Sequence, residues 1–314
     1  MIDPIYAKLE SQPRPTLSAA LGLILIAAAG LWLSSLLELV LPQGASGMVL
    51  NAAYYLPFVL LPMLLYARRN PGIGDAMRLN PPPALQLLAP VLLGIASVYL
   101  ASALSALWEY GLDALGLRGL SGVSLPQTER ELMLMIVSTA ALPAICEELL
   151  FRGFILSAWE SRGTAYAIAV TSVLFALLHG NLYGLPAYLL VGAVAGYITY
   201  SLDSVYAGII YHTVYNAACL AIPYLLIDSG EAAGSAEVAV SASMMLSVAL
   251  DFFMIMSMTA MLLIALRFRA KNLGIEPIPR IRRPLEGREK AMLLAAVAAL
   301  VASIAMVQLL ILHA

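Results

Sequence analysis

Nine stretches of this chain stay apolar for about the thickness of a bilayer, and that leaves few folds open to it. They run over 16–41, 48–67, 84–107, 130–158, 164–180, 185–202, 204–227, 240–266 and 291–312. Crossing the hydrocarbon takes about 20 residues of helix at roughly 1.5 Å each. Lipid offers no partner to a backbone N–H or C=O, so each stretch must close its own hydrogen bonds as a helix. The expected fold is therefore all-α: a polytopic transmembrane helical bundle of eight to nine spans, the fifth being short. Composition agrees, with 61% hydrophobic and 11% charged residues, where a soluble domain carries about 25% charged. Mean hydropathy is +0.89. The whole of 1–314 reads as a single membrane domain whose first partner is the lipid bilayer, with no nucleic acid expected.

Basic residues give the orientation. With the N-terminus in the cytoplasm, the inner segments hold Lys8, Arg14, Arg68, Arg69, Arg78, Arg162 and eight more between Arg267 and Lys290, and the outer loops hold only Arg118 and Arg130. That is a strong positive-inside bias, and it places the chain as a multi-pass protein, expected in the cell membrane. Residues 1–15 read as a short polar tail without the basic start of a signal peptide. Segment 68–83 is a Pro- and Gly-broken inner loop, 108–129 the longest outer loop, and 267–290 a basic inner loop facing anionic lipid. Cys146 and Cys219 sit in apolar runs and read as buried free thiols. Trp32, Trp108 and Trp159 fall near span ends, as aromatic belts do. Gly192 and Gly196 form a small-xxx-small pattern for close helix approach. Asp251 is a further acid within the eighth span, which also holds Met244, Met245, Met254, Met256, Met258 and Met261.

Against this background the polar residues inside the spans stand out. An ionisable side chain in the hydrocarbon costs several kcal/mol, from roughly 2.5 to 17 by different measures, and marks a functional site by default. Glu147 and Glu148 are adjacent in the fourth span, with Arg152 one turn on. Glu148 and Arg152 are spaced i,i+4, share a face and can pair. Glu147 points about 100° away and is left without a cation. His179 ends the fifth span, and His212 and Asn216 are again i,i+4 on the seventh. Counted from the cytoplasmic ends at about 1.5 Å per residue, Glu147, His179, His212 and Asn216 lie roughly 12–24 Å deep, near one level.

A carboxylate and an imidazole at one depth can activate a water as general base. Two hydrogen-bond donors, His212 and Asn216, can hold an oxyanion. The set suits hydrolysis of an amide or ester inside the membrane. A zinc site built from Glu147, Glu148, His179 and His212 is conceivable, although no HExxH run is present. A non-catalytic membrane scaffold or immunity factor, or a transporter using the acids as a proton relay, are the other classes such residues allow.

These positions fall into three motifs: EELLFR (147–152), FALLH (175–179) and HTVYN (212–216). In type, order and spacing they resemble the EExxxR, FxxxH and HxxxN/D motifs of the CPBP family, the CAAX prenyl proteases of the Rce1 type and their Abi relatives. The resemblance covers roughly 130–227, four consecutive helices that would form a catalytic core. It implies a glutamate-dependent intramembrane endopeptidase with no metal or other cofactor. In it Glu147 with His179 would activate water, His212 with Asn216 would form the oxyanion hole, and Glu148 and Arg152 would support the first glutamate. The implied partner is a membrane-associated protein or prenylated peptide cut near its C-terminus.

Overall fold

The structure is a computed structural model and describes residues 13–40, 47–117, 125–228, 242–279 and 284–313. Among these residues all regular structure is helical. Nine apolar rods follow one another: α1 (Leu17–Val40), α2 (Met48–Arg69), α3 (Ala84–Ala114), α4 (Glu129–Arg162), α5 (Thr164–Leu178), α6 (Leu185–Leu202), α7 (Val205–Asp228), α8 (Ala242–Asn272) and α9 (Gly287–His313). Eight are long and apolar enough to cross a membrane, and α5, with 15 residues, is the shorter one. The protein is a multi-pass integral membrane protein.

Several ends lie beyond the hydropathy limits. α3 runs to Ala114 and α8 to Asn272, because a helix goes on closing i→i−4 bonds after its side chains turn polar. α4 starts at a reciprocal cap: Thr128 Oγ1 accepts from the Glu131 N–H, and the Glu131 carboxylate accepts from the Gln127 N–H. Pro62 and Pro143 each follow a π-helical turn, Tyr55–Leu60 in α2 and Ile136–Ala141 in α4. Proline has no N–H and its ring crowds the carbonyl four residues back, so the helix widens there.

The bundle is built around α4. Phe151, Phe154, Ile155 and Trp159 are fully buried. α7 packs against α3, α4 and α6, α5 against α6, and α9 against α1 and α5. Gly192 allows the α5–α6 approach, since a Cβ there would lie 3.1 Å from Ser172 Cα. Trp159 does not belong to an interfacial belt. It is enclosed between Tyr166, at 5.8 Å between ring centroids, and the Arg162 guanidinium at 5.4 Å. Position near a span end had suggested lipid, but inward-facing neighbours decide burial. Trp32 and Trp108 are part-exposed, as a belt requires. Cys146 is buried and Cys219 half-buried, both free. In α8, Met254, Met256, Met258 and Met261 are exposed on the outside of the bundle. The side chains of Asp251, Met244 and Met245 lie outside the described residues.

One end of the bundle is basic and locked. Glu160 accepts from Arg14 at 3.1 Å and from Arg78 at 2.6 Å, and Arg78 also reaches Asp203 at 3.0 Å. Burial works against the Arg78 charge, but Glu160 and then Asp203 outweigh it and hold the guanidinium above its ordinary pKa. Arg78 and Asp203 both take left-handed backbone, which costs roughly 1–2 kcal/mol each. Their mutual bonds and the Val205 N–H on the Arg78 carbonyl offset that strain. Part of the basic 267–290 segment is fastened here too: Ile278 exchanges two 3.0 Å hydrogen bonds with Thr164, and Arg162 pairs with Glu289.

Candidate active site

α4 supplies three charged side chains from a stretch with almost no contact with solvent. Glu148 and Arg152 are fully buried and Glu147 is 5% exposed. A π-helical turn at Leu149–Ile155 carries Arg152, a widening frequent at functional sites. Arg152 Nη1 donates to Glu148 Oε1 at 2.7 Å, so the i,i+4 pairing expected from the sequence is made. Its Nη2 donates to the Gly192 carbonyl at 2.9 Å, and its guanidinium lies 4.5 Å from the Phe175 ring centroid. Arg152 thereby ties α4 to α5 and α6.

Glu148 has a second partner. His212 Nδ1 lies 2.9 Å from Glu148 Oε1. A carboxylate oxygen paired with arginine only accepts, so Nδ1 carries the proton. Glu148 thus orients His212 and does not touch Glu147, because neighbouring helical residues point about 100° apart. Gly208 makes room for this: a Cβ there would sit 2.6 Å from Thr199 Oγ1 and 3.0 Å from Glu148 Oε2.

Glu147 is held differently. The Tyr55 hydroxyl, from α2, donates to its Oε1 at 2.5 Å. Its Oε2 is buried with no hydrogen-bond partner among the described residues. That oxygen faces two imidazoles, His179 Nε2 at 3.8 Å and His212 Nε2 at 4.0 Å. His179 Nδ1 lies 2.8 Å from the Phe175 carbonyl, which only accepts, so Nδ1 holds the proton and Nε2 presents a lone pair to Glu147. Tyr188 from α6 stacks on the His179 ring at 3.9 Å and 20°, fixing its plane.

Five of the six residues singled out in the sequence therefore meet: Glu147, Glu148, Arg152, His179 and His212. Asn216 follows one turn after His212 on α7 and is half-buried, with no side-chain hydrogen bond to the cluster. Tyr55 and Tyr188 were not foreseen. Tyrosine in an apolar run reads as packing, and nothing in the spacing of α2 ties it to α4. Among the described residues no three His, Cys, Asp or Glu side chains are arranged to hold a metal ion.

The family profile described as type II CAAX prenyl endopeptidase Rce1-like matches residues 129–218. This core is Rce1-like. The Rce1-like stretch runs from the start of α4 into α7 and contains every residue of the cluster except the α2 tyrosine. Over these residues the chain is similar to the CAAX-type endopeptidases that the profile describes. No curated protein and no solved structure matches the chain.

Proposed function

We propose that the protein is an intramembrane endopeptidase that cuts a peptide bond near the C-terminus of a membrane-associated substrate, with prenylated CaaX tails as the first class to test. The observation that carries this reading is the pair of lone-pair atoms facing each other, Glu147 Oε2 and His179 Nε2, 3.8 Å apart in a buried site. Two acceptors at that distance do not bond to each other. They suit a water that donates one proton to each and turns its oxygen outward. As the oxygen attacks the peptide carbonyl, Glu147 takes the proton and the carbonyl oxygen becomes an oxyanion. His212, held on Glu148 through Nδ1, and Asn216, one turn further along α7, are the side chains that would face that oxyanion. When the C–N bond breaks, the proton on Glu147 passes to the leaving amine. Glu148 and Arg152 hold His212 in place.

The test is cleavage of a quenched fluorescent farnesyl-CaaX peptide by the purified full chain in detergent, with and without a zinc chelator. Cleavage that survives the chelator is expected. Loss with the chelator and return with zinc would instead require a metalloprotease.

Tyr55 positions the base in this scheme. Its hydrogen bond to a charged acceptor is worth about 1.5–3 kcal/mol. If that bond matters mainly in the transition state, Tyr55→Phe should lower kcat roughly ten- to a hundredfold with KM little changed. A rise in KM at constant kcat would make Tyr55 a substrate contact.

A further inference from the structure

His179 lies one residue past the end of α5, and the helix alone does not fix its ring. α5 stops at Leu178, and Gly180 takes left-handed backbone at φ +63°, as a helix-ending glycine does. The last torsion of a histidine side chain is broad, not staggered. The bond from Nδ1 to the Phe175 carbonyl pins one ring atom, and Phe175 meets the ring edge to face at 4.7 Å. The contact laid flat on the ring is Tyr188, at 3.9 Å and 20°. The direction in which Nε2 points therefore depends on where Tyr188 is held.

Tyr188 is held by the turn between α5 and α6. Gly184 has ordinary helical backbone, at φ −79°, so its conformation does not require glycine. Its space does: a Cβ there would lie 2.5 Å from Tyr188 Cε2 and 2.6 Å from Cζ, and a side chain at 184 would push the ring from its place. Asn181 Oδ1 accepts from the N–H groups of Tyr183 and Gly184, at 2.9 and 3.4 Å, and closes the turn. Trp108 Nε1, from α3, donates to the Leu182 carbonyl at 2.9 Å and ties the turn to a different helix. The Tyr188 hydroxyl comes only within 3.5 Å of Asn181 Nδ2, so the ring carries the contact and the hydroxyl adds little.

We propose that this turn, hung from Trp108, aims His179 at Glu147, with Trp108 and Gly184 as positioning residues for the reaction. Trp108 lies outside the Rce1-like stretch 129–218, so a residue beyond that core sets geometry within it. The proposal rests on the reading of His179 as the second acceptor of the attacking water. Misplacing a reacting group by about 1 Å can cost about a hundredfold in rate.

Gly184→Ala and Trp108→Phe are made in the full chain in detergent, with Tyr188→Leu and Tyr188→Phe beside them. The chain holds three histidines, His179, His212 and His313, so carbon-13 labelling of histidine gives three ring signals, and His179→Gln identifies one of them. Stacking on Tyr188 shields the His179 ring protons. Gly184→Ala, Trp108→Phe and Tyr188→Leu should move that signal downfield and leave the His212 signal in place. On the farnesyl-CaaX peptide the same three should lower kcat about ten- to a hundredfold with KM little changed. Tyr188→Phe should keep both signals and most of the wild-type kcat. A His179 signal unmoved in Gly184→Ala or Trp108→Phe overturns the proposal, as does a His212 signal that moves with it. So does kcat unchanged where the signal has moved, a rise in KM at constant kcat, or Tyr188→Phe falling as far as Tyr188→Leu. If the wild type does not cleave the peptide, the protease reading falls by itself, and the histidine signals alone decide whether the turn aims His179.

Discussion

Glu147→Gln is expected to lower kcat for peptide cleavage by about a thousandfold or more while leaving the fold intact. A positioned general base contributes about 10²–10⁴, and Glu147 is the carboxylate of the two that is not paired with Arg152, its Oε2 left without a hydrogen bond among the described residues. The substitution keeps shape and retains Oε1 as acceptor for the Tyr55 hydroxyl. It also removes a buried charge with no arginine beside it, so thermal unfolding in detergent should shift up or not at all. His179→Ala should have a similar effect on kcat, since the water loses its second acceptor, with a small cost from the emptied contact with Tyr188. Wild-type rates in Glu147→Gln would remove it from the chemistry. A large fall in melting temperature with rate retained would make it a structural acid.

Arg152→Ala is expected to act in the opposite way, on stability first. Arg152 and Glu148 are fully buried and 2.7 Å apart. Removing one partner leaves an uncompensated charge in a low dielectric, a loss of about 3–5 kcal/mol. Glu148 would keep only His212, and the link from α4 to the Gly192 carbonyl would go. Guanidinium geometry sets a second expectation. Lysine offers one point charge in place of a planar fork, so Arg152→Lys should recover only part of the loss. The double change Glu148→Leu/Arg152→Leu should unfold at a higher temperature than Arg152→Ala, because no charge is stranded, and should remain inactive because His212 is no longer oriented. Full stability in Arg152→Ala would mean that the pair contributes nothing net.

These two expectations differ although Glu147 and Glu148 are neighbours in the chain, and the sequence contained only part of the reason. The i,i+4 spacing of Glu148 and Arg152 forced their pairing through helix geometry alone. The same 100° step separated Glu147 from that pair. Helix count and approximate span limits followed from hydropathy, because lipid enforces backbone satisfaction within each segment. The ends did not follow, since α3 and α8 run on past their apolar stretches. Trp159, read as a belt residue, turned inward because α5 covers it.

What the sequence determined by itself was local and periodic: a helical bundle in a membrane, its basic end, and a set of polar residues on three helices at one depth. Each depends on spacing along a helix or on the energy of a side chain in hydrocarbon, and neither needs knowledge of neighbours. Which atoms face which was decided only by tertiary structure. Tyr55 on Glu147, His212 on Glu148 and the stacking of Tyr188 on His179 all depend on how α2, α5, α6 and α7 are rotated against α4. That rotation is set by close packing at positions such as Gly192 and Gly208, where a Cβ would crowd the neighbouring helix, and packing between distant segments leaves no periodic trace in the chain.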